Sequence, residues 1–437
     1  MTSPTNTQRI RLGLESLGER IVPAAHFHAV AQDIGGTSLV NVYNEDGHLV
    51  RTIAPYGPNF TGGARVATGD VTGDGIDEIV VATGPGGGPE LKVYDGATGD
   101  VVRDFFAYAP DFRGGVNVAV GDVTGDGKAD IVTGTGTGGG PNVRVFDGST
   151  GGLLDSFFAY EDSFRGGVNV AAGDVTGDGK AEVVTGTGFG GGPRVQVFDA
   201  LTAAEVGNFF AYDASVRGGV TVGAGDLNGD GKAEIVTGTG PGGGPNVKVY
   251  DGATDNVNAS FYAYDAAFVG GVSVAVVSAN GANEVMVAPG PGPNGYVELF
   301  DGNGVGIDRF LPFPGFWGGV ATGQGVATAD APFGKVFAMP VVLTSPGGGG
   351  GTPADAGNTG DVFGNGDSGF VPPIDTGFVP PIDTSVTSND PGTTSTDTGS
   401  DASTDLPWYL DPYYDYPWYY GPGYGGYWDP VDPVPGA

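Results

Sequence analysis

DVTGDGKAD, residues 122–130, recurs as DVTGDGIDE from Asp70, DVTGDGKAE from Asp174 and DLNGDGKAE from Asp226. Each copy begins 52 residues after the one before it. A fixed interval of that size is the mark of one supersecondary unit stacked several times. The content of the stretch, three acids around two glycines, makes each unit the carrier of a candidate Ca²⁺ loop.

Working outward, one full repeat from Phe112 reads FRGGVNVAVGDVTGDGKADIVTGTGTGGGPNVRVFDGSTGGLLDSFFAY. Four short β-rich runs lie in it, VNVAV, ADIVTG, NVRVFD and DSFFAY, separated by Gly, Pro and Asp turns. Four strands in about 50 residues predict a propeller blade rather than a helical solenoid. Aromatic residues keep the same register: Tyr94, Phe146, Phe198 and Tyr250 form one series, Tyr108, Tyr160, Tyr212 and Tyr264 another. Rings at one height in every unit are expected to pack neighbouring sheets face to face.

A fifth unit from Phe268 keeps GGVSVAVV and VELFDG but has SANGANE in place of the Asp loop, so it reads as a blade without metal. A sixth begins with FWGGVATGQ at Phe316, and HFHAVAQ, LVNVYN and LVRTIAPY near the N-terminus match the later strands of a repeat. The expectation is an all-β, six-bladed β-propeller of four strands per blade, closed by joining the two ends of the array. Both HFHAVAQ and KVFAMPVVL suit the second strand of the closing blade, so seven blades is the alternative. The propeller is assigned to residues 25–344, and residues 345–437 to a disordered Gly/Pro/Asp/Ser/Thr tail with an aromatic-rich end around Trp408, Trp418 and Trp428.

The bulk numbers agree with a repeat array. Glycine (86) and proline (32) would signal low complexity were much of the glycine not on the repeat. Cysteine is absent, which leaves bound metal as the remaining way to cross-link loops. A net charge of −33 gives no long-range attraction to nucleic acid or anionic membrane and favours divalent cations. Of that charge, 13 Asp with no Lys, Arg or His fall in residues 346–437. No apolar run approaches the ~18–20 residues of a membrane helix.

Residues 1–24 place Ile10, Leu14, Leu17 and Ile21 on one helical stripe among Arg9, Arg11 and Arg20. Gly13, Glu15 and Ser16 interrupt the apolar core that a secretory signal requires. The segment nevertheless resembles a short arginine-rich module that precedes repeat-rich surface proteins in some environmental bacteria, through Leu12, Leu14, Glu15, Leu17, Arg20, Val22 and Pro23. That resemblance implies export; the alternative is a capping helix on the first blade.

In the Asp122 loop, Asp122, Asp126 and Asp130 at positions 1, 5 and 9 can converge on one ion, with Gly127 at the sharp turn. Thr124 at position 3 can add a hydroxyl, and Lys128 a backbone carbonyl. An EF-hand needs Glu at position 12 and a helix behind it. Val81, Thr133, Thr185 and Thr237 stand there instead, inside strand-like runs. The metal-free alternative is a plain Asp/Gly turn, but three like charges repel unless something neutralises them. GTGTGG from Gly134 fits a nucleotide fingerprint in letters alone, since no helix follows it.

The pattern resembles the FG-GAP repeat, also called the VCBS-type repeat, of integrin α-chain propellers and many bacterial surface proteins. The likeness rests on the F-x-GG starts at Phe60, Phe112, Phe164 and Phe268, the Asp loops, and the IV-x-G-T-G run, over roughly residues 26–343. It implies Ca²⁺ held by Asp70, Asp74 and Glu78; by Asp122, Thr124, Asp126 and Asp130; by Asp174, Asp178 and Glu182; and by Asp226, Asn228, Asp230 and Glu234. Thr at position 3 in three loops, where the family favours Asp or Asn, predicts binding in the ~10⁻⁴ to 10⁻³ M range.

Strand order places the Asp loops and FDGSTG turns at one end, and the GTGGGP loops and AYxxxFRGG connections at the other. In integrin-like propellers the partner sits opposite the metal, so the expected contact surface comprises Arg113, Arg165, Arg217, Phe189, Tyr108, Tyr160 and Tyr212. No Ser/His/Asp set stands out, and His26, His28 and His48 are the only histidines. The expected function is a non-catalytic, monomeric, secreted or cell-surface module of a bacterial envelope, binding an extracellular protein or polysaccharide. The alternatives are a propeller acting on acidic polysaccharide, or a structural envelope protein anchored by the aromatic tail.

Overall fold

In the computed structural model the described residues are 26–279, 282–292 and 295–323. The segments 1–24 and 345–437, and the run KVFAMPVVL, lie outside them. In chain order the strands begin with β1 (Phe27–Gln32), β2 (Val40–Asn44) and β3 (Leu49–Ile53). Blade one is β4 (Ala64–Gly69), β5 (Glu78–Thr83), β6 (Glu90–Tyr94) and β7 (Val101–Phe106). Blade two is β8 (Val116–Gly121), β9 (Asp130–Thr135), β10 (Asn142–Phe146) and β11 (Leu153–Phe158). Blade three is β12 (Val168–Gly173), β13 (Glu182–Thr187), β14 (Arg194–Phe198) and β15 (Glu205–Phe210). Blade four is β16 (Val220–Gly225), β17 (Glu234–Thr239), β18 (Asn246–Tyr250) and β19 (Val257–Tyr262). Blade five is β20 (Val272–Ala279), β21 (Ala282–Pro289), β22 (Val297–Phe300) and β23 (Gly306–Phe310), followed by β24 (Val320–Thr322).

Five sheets are antiparallel meanders of consecutive strands, and the sixth has the order β24-β1-β2-β3. The protein is therefore a six-bladed propeller, and seven blades are excluded. Closure comes from β1, within HFHAVAQ, which pairs Val30 with Thr322, Ala31 with Ala321 and Gln32 with Val320.

Second strands such as EIVVAT are buried along their whole length, because blades cover both faces. Outer strands such as LLDSFF alternate between exposed and half-buried positions. The cores lie between blades: Val80, Leu91 and Val93 of blade one pack with Val116, Ile131 and Phe146 of blade two. At the end of each third strand the ladder shifts register, as between Val145 and Phe146, and in every blade but blade one the ring at the shift meets a Phe of the preceding blade. Phe105 lies 5.2 Å from Phe146, and Phe209 lies 4.6 Å from Tyr250. The second aromatic series pins the next blade. The Tyr108 hydroxyl is 3.1 Å from Thr133 Oγ1 and donates to the Asn142 carbonyl at 3.0 Å.

Glycine is required where blades converge on the axis. A Cβ at Gly136 would lie 2.0 Å from the Gly114 carbonyl oxygen, a distance that no side chain tolerates.

Candidate functional site

The hairpin joining the first two strands of blades one to four is built around its first and last acids. In the third loop the two carboxylate oxygens of Asp174 accept the backbone N–H groups of Gly177 (2.6 Å), Asp178 (3.0 Å) and Gly179 (2.8 Å). Gly177 and Gly179 adopt φ of 78° and 86°, the left-handed region that glycine enters without steric cost. Glu182 opens β13 and turns back to accept from Val175 N (2.8 Å), Thr176 N (3.0 Å) and Thr176 Oγ1 (3.2 Å). The same bonds recur around Asp70 and Glu78, and around Asp122 and Asp130.

This folding brings one oxygen each of Asp174, Asp178 and Glu182 within 4.8 Å of one another. Closing that spacing by a few tenths of an ångström would put all three oxygens at about 2.3–2.6 Å from a single centre, the bond length of Ca²⁺. The residues present therefore fit a divalent cation. In the first, second and fourth loops the hydrogen bonding is shared, but the third is the one, among the described residues, whose three acids converge this closely. In the second loop Thr124 Oγ1 donates to Asp122 Oδ1 at 3.3 Å. In the fourth loop the Asn228 amide nitrogen donates to Asp230 Oδ2 (3.2 Å) and Glu234 Oε1 (2.6 Å), while its oxygen accepts Asp230 N (2.8 Å).

The electrostatics favour a cation as well. The position-9 acids are almost fully buried: Glu78 is 1% exposed, Asp130 3%, Glu182 5% and Glu234 3%. Burial, reinforced by Asp74 and Asp70, pushes the Glu78 carboxyl up to about 7. Burial likewise raises Asp130, Glu182 and Glu234 above the ordinary carboxylate range. A bound dication would reverse that penalty by supplying the missing positive charge.

Adjacent loops are latched to one another. The Asp70 carbonyl accepts Ala129 N at 2.8 Å, Asp122 accepts Ala181 N at 2.8 Å, and Asp174 accepts Ala233 N at 2.7 Å. The donor is in each case the residue just before the next loop's buried acid. Blade one has Asp77 at the position of these alanines. It is buried, with Oδ2 accepting Phe27 N at 3.0 Å and Oδ1 lying 3.2 Å from His26 Nδ1. This clamp on the closing strand escaped the sequence reading, although an Asp breaking a run of alanines was a visible signal.

At the opposite end a cavity of about 620 Å³ opens on the axis. Pro85, Thr137, Phe189, Pro241, Pro291 and Trp317 stand along its lining, Phe189 being 49% and Trp317 66% exposed. Its charged residues are Asp33, Arg65 and Asp265, and Arg65 Nη1 lies 2.8 Å from Asp33 Oδ1. The polar side chains of the first strands bind from blade to blade. Asn117 donates to the Val168 carbonyl (2.7 Å), Asn169 to Val220 (2.7 Å) and Thr221 to Val272 (2.8 Å).

Arg113, Arg165 and Arg217 are exposed at this same end. Their Nη1 atoms donate to the carbonyls of Phe112, Phe164 and Val216, each at 2.9 Å, which holds the guanidinium groups against their own turns. Their backbone carbonyls accept Gly86, Gly138 and Gly190 N of the neighbouring GGGP loops at 2.8 Å. Tyr108 and Tyr160 are buried and Tyr212 is half-buried, so these rings support the loops and leave the outer surface to the arginines, Phe189 and Trp317.

A family model for the FG-GAP-like repeat matches residues 70–133, the first Asp loop through the second. Curated proteins gave no sequence match. Similar solved structures include the exotype rhamnogalacturonan lyase YesX, at 15% identity over 65% of this chain and 70% of that one, with a TM-score of 0.32. The Bacillus licheniformis rhamnogalacturonan lyase PL11 is 16% identical over 66% and 71%, with a TM-score of 0.34. A protein of unknown function from Bacteroides caccae is 12% identical over 68% and 98%, with a TM-score of 0.39. Likeness of this degree carries no statement about activity.

Proposed function

We propose that this six-bladed propeller of FG-GAP-like repeats is a non-catalytic binding module, braced by Ca²⁺ at one end and taking an extracellular protein or polysaccharide at the other. The observation that carries the reading is the separation of two chemistries along the axis. Buried acids in loops latched blade to blade occupy one end, a fit for cations that stiffen the ring. The other end combines an open cavity, two exposed aromatic residues and three exposed arginines. Loops of that kind on a rigid scaffold are the usual seat of recognition.

Binding without catalysis is favoured by how the cavity's polar residues are used. Asn117, Asn169 and Thr221 are engaged with the next blade's backbone, and Arg65 with Asp33. Arg113, Arg165 and Arg217 would supply the charge for an acidic protein surface or a uronate polymer. The residues read as an export-like segment, and the aromatic acidic tail, would place such a module at the cell surface.

The experiment is capture of fluorescent polyuronate and of envelope protein fractions by the full chain and by the triple variant Arg113→Ala/Arg165→Ala/Arg217→Ala. Capture should fall at least tenfold in the variant and weaken in high salt. Equal capture by both proteins would remove the arginine face from the function. Depolymerised product after incubation with polyuronate would replace the binding reading with an enzymatic one.

A further inference from the structure

The fifth blade has no Asp loop, yet it meets the fourth loop with the same hydrogen bond that the metal-type blades use. In the first three cases the bond is backbone to backbone, from Ala129, Ala181 and Ala233 to Asp70, Asp122 and Asp174. At Asp226 the donor is a side chain: Asn283 Nδ2 reaches the Asp226 carbonyl at 2.8 Å, across 57 residues of sequence. Asn283 Oδ1 accepts from Ser278 Oγ at 2.7 Å, which fixes the amide with its nitrogen toward the fourth loop. Ser278 and Asn283 are register partners in the β20–β21 ladder, so two paired strands hold the clamp.

We propose that Asn283, aimed by Ser278, is a positioning residue for a divalent-cation site in the neighbouring blade. It anchors the main chain of Asp226 at the start of the loop from which Asp226, Asp230 and Glu234 would supply ligands. Asn283 touches the backbone of Asp226 and no carboxylate of the loop. The three upstream loops receive this support from the main chain, which any residue but proline supplies. The fourth receives it from one amide and one hydroxyl. Partners that orient ligands from outside the metal's own shell typically change affinity 10–100-fold when removed.

This inference rests on the Ca²⁺ reading of the loops, and the experiment separates the two. The full chain carrying Asp70→Asn, Asp122→Asn and Asp174→Asn leaves the fourth loop alone, and calorimetry with CaCl₂ measures its affinity with and without Asn283→Ala. The expected result is a loss of roughly 10–100-fold, with a smaller loss for Ser278→Ala. Asn283→Asp is the decisive variant. A carboxylate cannot donate to the Asp226 carbonyl, so affinity should fall as it does for Asn283→Ala, whereas a direct ligand would tighten binding. Unchanged affinity in Asn283→Ala, or tighter binding in Asn283→Asp, overturns the positioning role while leaving the Ca²⁺ reading intact. No Ca²⁺ uptake by the unsubstituted chain overturns both.

Discussion

His28 carries its imidazole into the closing blade, 2% exposed and stacked 5.5 Å from Tyr43 with the edge of Phe310 nearby. Burial lowers its pKa to about 4, and Nδ1 has no hydrogen-bond partner among the described residues. In the unfolded chain the group titrates near 6.5. A depressed folded pKa means that the native state resists the proton. The stability is therefore complete above about pH 6.5 and is lost as pH falls toward 4, by roughly 3 kcal/mol for a shift of this size. Glu78, pushed up to about 7 by burial, works in the opposite sense across the same window. The His28 contribution is thus read as a difference: urea midpoints of wild type and His28→Phe should diverge as pH drops from 7 to 4.5, and parallel curves would refute the assignment. Residue-level legibility was uneven. The acids of the loops could be read because their spacing repeats, whereas Tyr108, Tyr160 and Tyr212 fitted both a packing series and a contact surface. Burial and the hydroxyl bonds to the next blade assign Tyr108 and Tyr160 to packing, and sequence spacing carries no signal of depth.

At the scale of strands and hairpins, the repeat unit was legible almost to its ends. Turns of Gly, Pro and Asp bound every run, and β8 to β11 fall on the four runs drawn from the sequence, with β11 starting two residues sooner. The closing strand was not legible, because HFHAVAQ and KVFAMPVVL are both short apolar runs of strand length. What distinguishes HFHAVAQ is a long-range partner, the buried Asp77 that receives Phe27 N and faces His26. Asp77→Ala strands that N–H and removes the pairing, a loss of about 1–3 kcal/mol. Hydrogen exchange should then quicken in β1 ahead of β2 and blades two to four. Uniform exchange across all blades would mean that the seam and the ring open together.

For the whole molecule the charge of −33 and the raised acids of four loops oppose folding, a cost that bound cations would relieve. A ligand that binds only the native ring stabilises it by mass action. At 10 mM CaCl₂ and a Kd near 10⁻³ M each site contributes about 1.4 kcal/mol. Calorimetry should find millimolar uptake, and the melting temperature should rise in CaCl₂ and fall back with chelator. A melting temperature indifferent to CaCl₂, with no heat of binding, would leave the loops as plain turns.

The seam between β24 and β1 has a mechanical side. Three residue pairs join the strands, and Thr322 ends β24 opposite Val30, the fourth of the six residues of β1. Both strands thus open toward the Asp-loop end, in the geometry of a zipper rather than of a shear joint. Tension applied across Phe27 and Thr322 would part the pairs singly, from Thr322 to Val320, at low force. A load entering through the opposite face and leaving through one terminus alone would bypass the seam.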